Sequence, residues 1–118
     1  MPNDAGPPLP RRPRPDPELG PAGERLPPDV ARVLRSFFRD DRLSTIPANA
    51  AKRRTVLVYL RDRCFTEVRA YPEKEVNQRL ALFHPDVAAL RRYMVDGGLM
   101  TRANGEYRRP SPAEGQPA

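Results

Sequence analysis

Ten of the 16 prolines in this 118-residue chain fall within residues 1–28, and three more fall within 110–118. The first of these stretches, MPNDAGPPLPRRPRPDPELGPAGERLPP, carries only Leu9, Leu19 and Leu26 from the Leu/Ile/Val/Phe set. A segment so poor in apolar side chains cannot bury enough surface to offset the entropy of ordering it. Both stretches are therefore expected to be disordered tails, the first partly of polyproline-II character. A single folded unit is left between Asp29 and Arg109, about 80 residues, a size that demands efficient packing or a partner.

Charge is distributed unevenly over these parts. Residues 1–28 hold four Arg and four acidic residues and are neutral, whereas residues 29–109 hold 17 Lys and Arg against 10 Asp and Glu, a net of +7. All but Lys52 and Lys74 of these cations are arginine. The planar fork of arginine suits phosphate and guanine, and the positive balance favours a polyanionic partner. A GC-rich genome would produce the same richness in Arg, Pro and Ala without functional meaning. One cysteine, Cys64, excludes an intrachain disulfide or a cysteine zinc cluster and fits a reducing, cytoplasmic setting. No apolar run of about 18 residues is present, so no membrane span is expected. No basic stretch followed by an apolar one opens the chain, so no signal peptide is expected.

Apolar periodicity outlines the core. Val30, Val33, Leu34 and Phe37 recur at helical spacing behind Asp29, which is expected to cap that helix. RLSTIPA reads as a connector or short edge strand ended by Pro47. AAKRRTVLVYLRDRCF is the strongest helix, with Val56, Leu57, Leu60 and Cys64 on one face. The Lys52–Arg53–Arg54 cluster in its first turn opposes the helix dipole, a conflict that an anionic partner would relieve. After a short extended piece at 69–71, Pro72 is expected at the first position of a helix buried through Val76, Leu80 and Phe83. A break at His84 precedes a further helix from Asp86 to Asp96, buried through Val87, Leu90 and Met94 and stopped by Gly97–Gly98. Asn104–Gly105 then signals a hairpin with Tyr107 packed inward on its returning strand. The expected fold class is mainly α with a small β-hairpin, in the order of a winged helix-turn-helix with an extra N-terminal helix.

In that arrangement the helix 86–96 lies in the DNA major groove. Turning 100° per residue puts Ala88, Ala89, Arg92 and Asp96 opposite the buried side, with Arg91 and Tyr93 on the flanks. Ala88 and Ala89 permit close approach, Arg92 is the candidate for guanine readout and Arg91 for a phosphate. Arg102 and Arg108 of the hairpin are expected to add contacts, since strand alternation sends Arg108 and Tyr107 to opposite faces. Lys52, Arg53 and Arg54 complete the candidate set. The competing view is a solvated Arg-Arg face on a protein-interaction module of the same fold, since fold alone does not settle function. PLPRRPRP, a possible docking segment, favours that view slightly.

FFRDDRLSTIPA, KRRTVLVYL, YPEKEVNQRL and FHPDVAALRRYMVDGGLMTRANGEYRR together resemble the uncharacterised bacterial family called domain of unknown function 2087, from about Phe37 to Arg109. The resemblance implies a winged helix and a transcription-related role, because such domains also occur attached to winged-helix regulators. This chain carries Asp41 where the family commonly has glycine, Gly97 where a larger residue is common, and Arg108 in place of a frequent aromatic.

Catalysis and cofactors are not expected. His84, the single histidine, reads as a helix-start residue, and Cys64 as a small buried hydrophobe rather than a nucleophile. Asp40–Asp41 pair only by adjacency, and no metal-ligand spacing or glycine-rich phosphate loop is present. The partners expected are double-stranded DNA and either a homodimer, through the first helix, or a partner protein. No small-molecule substrate and no effector domain are expected.

Overall fold

The computed structural model describes residues 25–110. The segments expected to be disordered therefore lie outside the described residues, apart from 25–28 and 110. The described chain is mainly helical, with four helices and two small antiparallel sheets.

Helix α1 (Pro28–Phe37) begins with proline at its first position, where the fixed φ suits a helix and no N–H is missed. The capping position belongs to Pro27, whose carbonyl accepts from the Ala31 N–H at 3.0 Å. Asp29 lies in the first turn instead of at the cap, so it acts on the helix dipole only. The chain then makes a hairpin from β1 (Phe38–Arg39) and β2 (Arg42–Leu43), in register Phe38↔Leu43. Of the connector or short edge strand expected over RLSTIPA, the first two residues are a short strand, and the pairing with β1 is what the sequence did not announce. Its turn is Asp40–Asp41, both at positive φ (49° and 73°). Asp-Asp is a weaker signal for such a turn than Asn-Gly, because a Cβ is tolerated there only at a cost. The hairpin is tied to the end of a later helix by Leu43 N–H donating to Phe83 O at 2.9 Å.

Helix α2 (Ala50–Cys64) is capped by Asn49, whose side chain accepts from the Lys52 N–H at 2.9 Å. It packs against α1, α3 (Glu73–Ala81) and α4 (Val87–Asp96). Val56, Leu57, Tyr59, Leu60 and Cys64 are all buried on it. Tyr59 widens the apolar arc beyond the stripe expected, because Phe38 of β1 covers its ring edge-on at 5.3 Å. The fully enclosed leucines, Leu34, Leu60, Leu80 and Leu90, come from four different helices. Each such burial is worth roughly 1.5–3 kcal/mol, which makes this shared centre the main favourable term.

The second sheet joins distant parts of the chain. β3 (Tyr71–Pro72) pairs with β5 (Glu106–Arg108), which pairs with β4 (Thr101–Ala103), giving the order β3-β5-β4. Tyr71 faces Tyr107, and Arg102 faces Tyr107 from the other side. Pro72 sits on an edge strand, where its missing donor does no harm, and caps α3 one residue ahead of the position expected. Asn104 and Gly105 take the positive φ values, 54° and 76°, that their hairpin turn requires.

Because Asp41 holds a conformation that favours glycine, Asp41→Gly is expected to stabilise the protein by about 0.5 kcal/mol. Chemical denaturation of the two chains measures this; a lower midpoint for the variant would show that the Asp41 side chain contributes more than its backbone costs.

Candidate nucleic-acid interface

Two side chains in sequence set the start of α4. His84 Nδ1 accepts from the Asp86 N–H at 3.0 Å, and the Asp86 carboxylate accepts from the Ala89 N–H at 3.2 Å. Both satisfy backbone donors that a helix start leaves without partners. Leu90 and Met94, both buried, then fix the rotation of the helix about its axis. The opposite side presents Ala88, Arg92 and Asp96 to solvent, with Ala89, Arg91 and Tyr93 half-buried beside them.

The hairpin lies along one flank of this helix. Tyr107 is buried and Arg108 exposed, as strand alternation requires. An open cleft of about 260 Å³ separates the two elements. Ala88, Arg91, Arg92 and Asp96 line it from α4, and Arg102 and Tyr107 from the hairpin. Four of the candidate residues, Ala88, Arg91, Arg92 and Arg102, are thus gathered at one place from two segments. Ala89 and Arg108 lie outside the lining of the cleft.

Three groups converge on one carboxylate oxygen beside this cleft. Glu73 Oε1, in the first turn of α3, accepts hydrogen bonds from Tyr107 Oη at 3.1 Å and Arg102 Nη2 at 3.5 Å, and forms an ion pair with Arg91 Nη1 at 3.0 Å. Arg91 Nη1 also donates to Tyr107 Oη at 3.1 Å. The Tyr107 hydroxyl, then the positive charges of Arg91 and Arg102, hold the Glu73 carboxyl below its ordinary range. The Arg91 side chain is only 19% exposed, and its Nε is buried without a hydrogen-bond partner. Arg92, by contrast, is exposed, and its side chain makes no hydrogen bond or ion pair among the described residues.

Lys52, Arg53 and Arg54 fall on the other flank of α4. Arg54 Nη1 donates to Gly97 O at 2.9 Å, the carbonyl just past the end of that helix. Arg53 donates to Pro47 O and Ala48 O at 3.3 and 3.1 Å, and its guanidinium lies 4.4 Å from the centre of the Tyr93 ring. Only Lys52 stands fully in solvent without a side-chain partner among the described residues. The conflict with the α2 dipole is thus eased internally: Asn49 caps the helix start, and Arg54 meets the negative end of α4.

Other arginines behave like Arg54. Arg42 reaches Leu82 O, Arg61 Leu99 O, Arg79 Cys64 O and Arg109 Phe65 O, each joining segments far apart in sequence. Arg69 and Arg79 share Glu75, which anchors α3 at 2.7 and 2.8 Å and leaves its carboxyl below the ordinary range, chiefly through Arg69. Sequence reasoning overlooked Glu73 and the Tyr107 hydroxyl as parts of the site. Glu73 stands 18 residues before Arg91 and 29 before Arg102, so no local spacing announces their meeting.

Cys64 is buried on α2, and burial pushes its thiol up to about 12 against the lowering effect of Arg63 and Arg79. A thiol in that state is a packing group and a poor nucleophile. Among the described residues, no group of three or more His, Cys, Asp or Glu side chains is placed to hold a metal ion. No helix among them is long and apolar enough to cross a membrane.

A family model described as "Uncharacterized protein conserved in bacteria (DUF2087)" matches residues 42–109. The matched segment runs from the start of β2 to just past β5 and so includes the whole cleft. No curated protein and no solved structure matches the chain.

The native protein is expected to resist labelling of Cys64 by a thiol reagent at neutral pH and to react once unfolded; rapid labelling of the native state would place the thiol in solvent. The carboxyls of Glu73 and Glu75 titrate below their ordinary value of 4.5 in the folded state. Their contribution to stability is therefore complete above about pH 4.5 and lost as pH falls through the lower folded values. Denaturant midpoints at about pH 7 and about pH 3 should differ less in Glu75→Gln than in the unaltered chain. An equal acid sensitivity in both would remove Glu75 from this linkage.

Proposed function

The chain belongs to the DUF2087 family, and on that premise we propose that residues 29–109 are a winged helix-turn-helix unit that binds double-stranded DNA. In this reading the protein is cytoplasmic and transcription-regulator-like. The order α2, β3, α3, α4, β4, β5 with the sheet β3-β5-β4 supports the winged arrangement. α3 and α4 are then the helix-turn-helix pair, and α4 is the helix that enters the major groove.

The observation that carries the reading is the gathering of Ala88, Arg91 and Arg92 of α4 with Arg102 of the hairpin around one open cleft. Arg92 is exposed, one helical turn from the also exposed Ala88, so it is assigned to guanine readout. Ala88 and Ala89 allow the helix to come close and meet thymine methyls. Arg91 and Arg102 are assigned to a backbone phosphate in the cleft, and Arg108 to the next phosphate along the hairpin. Lys52 and the outer edges of Arg53 and Arg54 extend the basic surface past the far flank of α4. Two copies joined through α1 would read paired half-sites.

The second reading is a protein-interaction module. It is favoured by the exposed Leu82, 68% accessible, in a shallow groove on α3 with Pro72, Lys74, Gln78 and Arg79.

A salt titration of binding to mixed-sequence and genomic duplex DNA separates the two. DNA binding through these arginines should weaken steeply with salt, with a slope of about 0.9 for each phosphate contacted. The double variant Arg91→Ala/Arg92→Ala should bind at least tenfold more weakly, on the order of 1.4 kcal/mol. No retention of duplex DNA at moderate salt would favour the interaction module. Retention that the double variant leaves unchanged would remove α4 as the recognition helix.

A further inference from the structure

Glu73 occupies an unusual position for a site read as binding phosphate. One of its oxygens accepts from Tyr107 and Arg102 and is ion-paired with Arg91, and both arginines line the cleft between α4 and the hairpin. A carboxylate offers guanidinium groups the same kind of acceptor oxygen that a phosphate does. Arg91 is left with a buried Nε that has no partner. An unfulfilled buried donor is costly, so the Arg91 guanidinium is incompletely satisfied by its partners within the protein. Arg102 is held more loosely, at 3.5 Å with its side chain half exposed, and is the easier of the two to take away. Arg92, on the same cleft, has no counter-ion among the described residues.

We propose that Glu73 is a built-in competitor of the DNA backbone: it holds Arg91 and Arg102 in the free protein, and a backbone phosphate in the cleft takes their charge-assisted contacts from it. The idea rests on the DNA-binding reading and deepens it. Glu73 thereby sets the affinity and the salt dependence of the whole surface without touching a base. Each arginine must exchange one anionic partner for another, so the net gain per phosphate is smaller than the count of arginines suggests. The Tyr107 hydroxyl keeps the carboxylate in place while the exchange occurs, since it donates to the same oxygen. No sequence preference is expected from Glu73, because phosphates carry no base identity.

The test compares the full chain with Glu73→Gln and Tyr107→Phe in binding to a mixed-sequence duplex across a salt series. Glu73→Gln removes the competing charge, so affinity at low salt should rise about three- to tenfold and the salt slope should steepen by up to about 0.9, for the one opposing charge removed. Tyr107→Phe disturbs the same hydrogen bonds without altering charge, so its slope should stay that of the unaltered chain. If the unaltered chain binds DNA and Glu73→Gln binds no tighter with no steeper slope, Glu73 is only a strut and the proposal is overturned while DNA binding stands. If neither chain binds duplex DNA, both readings fall together. Should circular dichroism show that Glu73→Gln does not fold, Glu73→Asp takes its place, with the charge kept but one methylene withdrawn from Arg102. It too must tighten binding, and unchanged or weaker binding overturns the proposal.

Discussion

The burial of one broad apolar arc on α2 is the interaction on which the remaining structure depends. Val56 and Leu60 are completely enclosed, and α1, α3 and α4 all rest against the helix that carries them. A core this small has no second centre to fall back on. The orientation of α4 follows from it, because Leu90 and Met94 must enter the same centre. With those two residues turned in, Ala88 and Arg92 have no direction left but outward. The candidate interface is in this sense a by-product of core packing, held to a fixed rotation by apolar side chains it does not contain.

The hairpin is positioned by a different kind of force. β3 lies before α3 in the chain and pairs with β5, so the sheet ties the start of the helix pair to the segment that follows it. Glu73, Arg91, Arg102 and Tyr107 strengthen that tie at the place where the hairpin meets α4. Elsewhere arginines act as long struts to backbone carbonyls, as Arg54 does to Gly97, Arg79 to Cys64 and Arg109 to Phe65. Helix ends leave carbonyls without partners, and a cation there is favourable for both hydrogen bonding and the dipole. The net charge of +7 over residues 29–109 is therefore carried largely by arginines whose positions the fold fixes.

The helices were readable because their apolar residues recur at 3.6-residue spacing and their ends carry strong signals. Asn104–Gly105 and Gly97–Gly98 stand where the chain turns, and His84–Pro85–Asp86 stands where α4 begins. The β1–β2 hairpin was not readable: its strands are two residues long, too short for alternation to show, and Asp40–Asp41 is not a distinctive turn pair. The cap of α1 lies at Pro27, two residues before the expected Asp29, because Asp29 and Pro28 both signal a helix start and proline at the first position prevailed. Within the candidate site, Ala89 is half-buried although expected beside Ala88, Arg92 and Asp96 of α4, whose exposure follows from periodicity. The engagement of Arg91, Arg53 and Arg54 does not, since each partner is reached through the folded chain or through a loop carbonyl.

Sequence alone determined the family, the helical spans from α2 to α4, the hairpin turn at 104–105 and the face of α4 that looks outward. These depend on local propensity, spacing and motif, which a linear chain carries in full. Only the tertiary structure decided which arginines stand free and which are held, because a side chain's charge is written in the sequence but its counter-ion is not. Arg91 and Arg92 are neighbours of identical chemistry. One turn of 100° sends Arg91 toward Glu73 and Tyr107 and leaves Arg92 in solvent, and that difference exists only once α3, α4 and the hairpin have met.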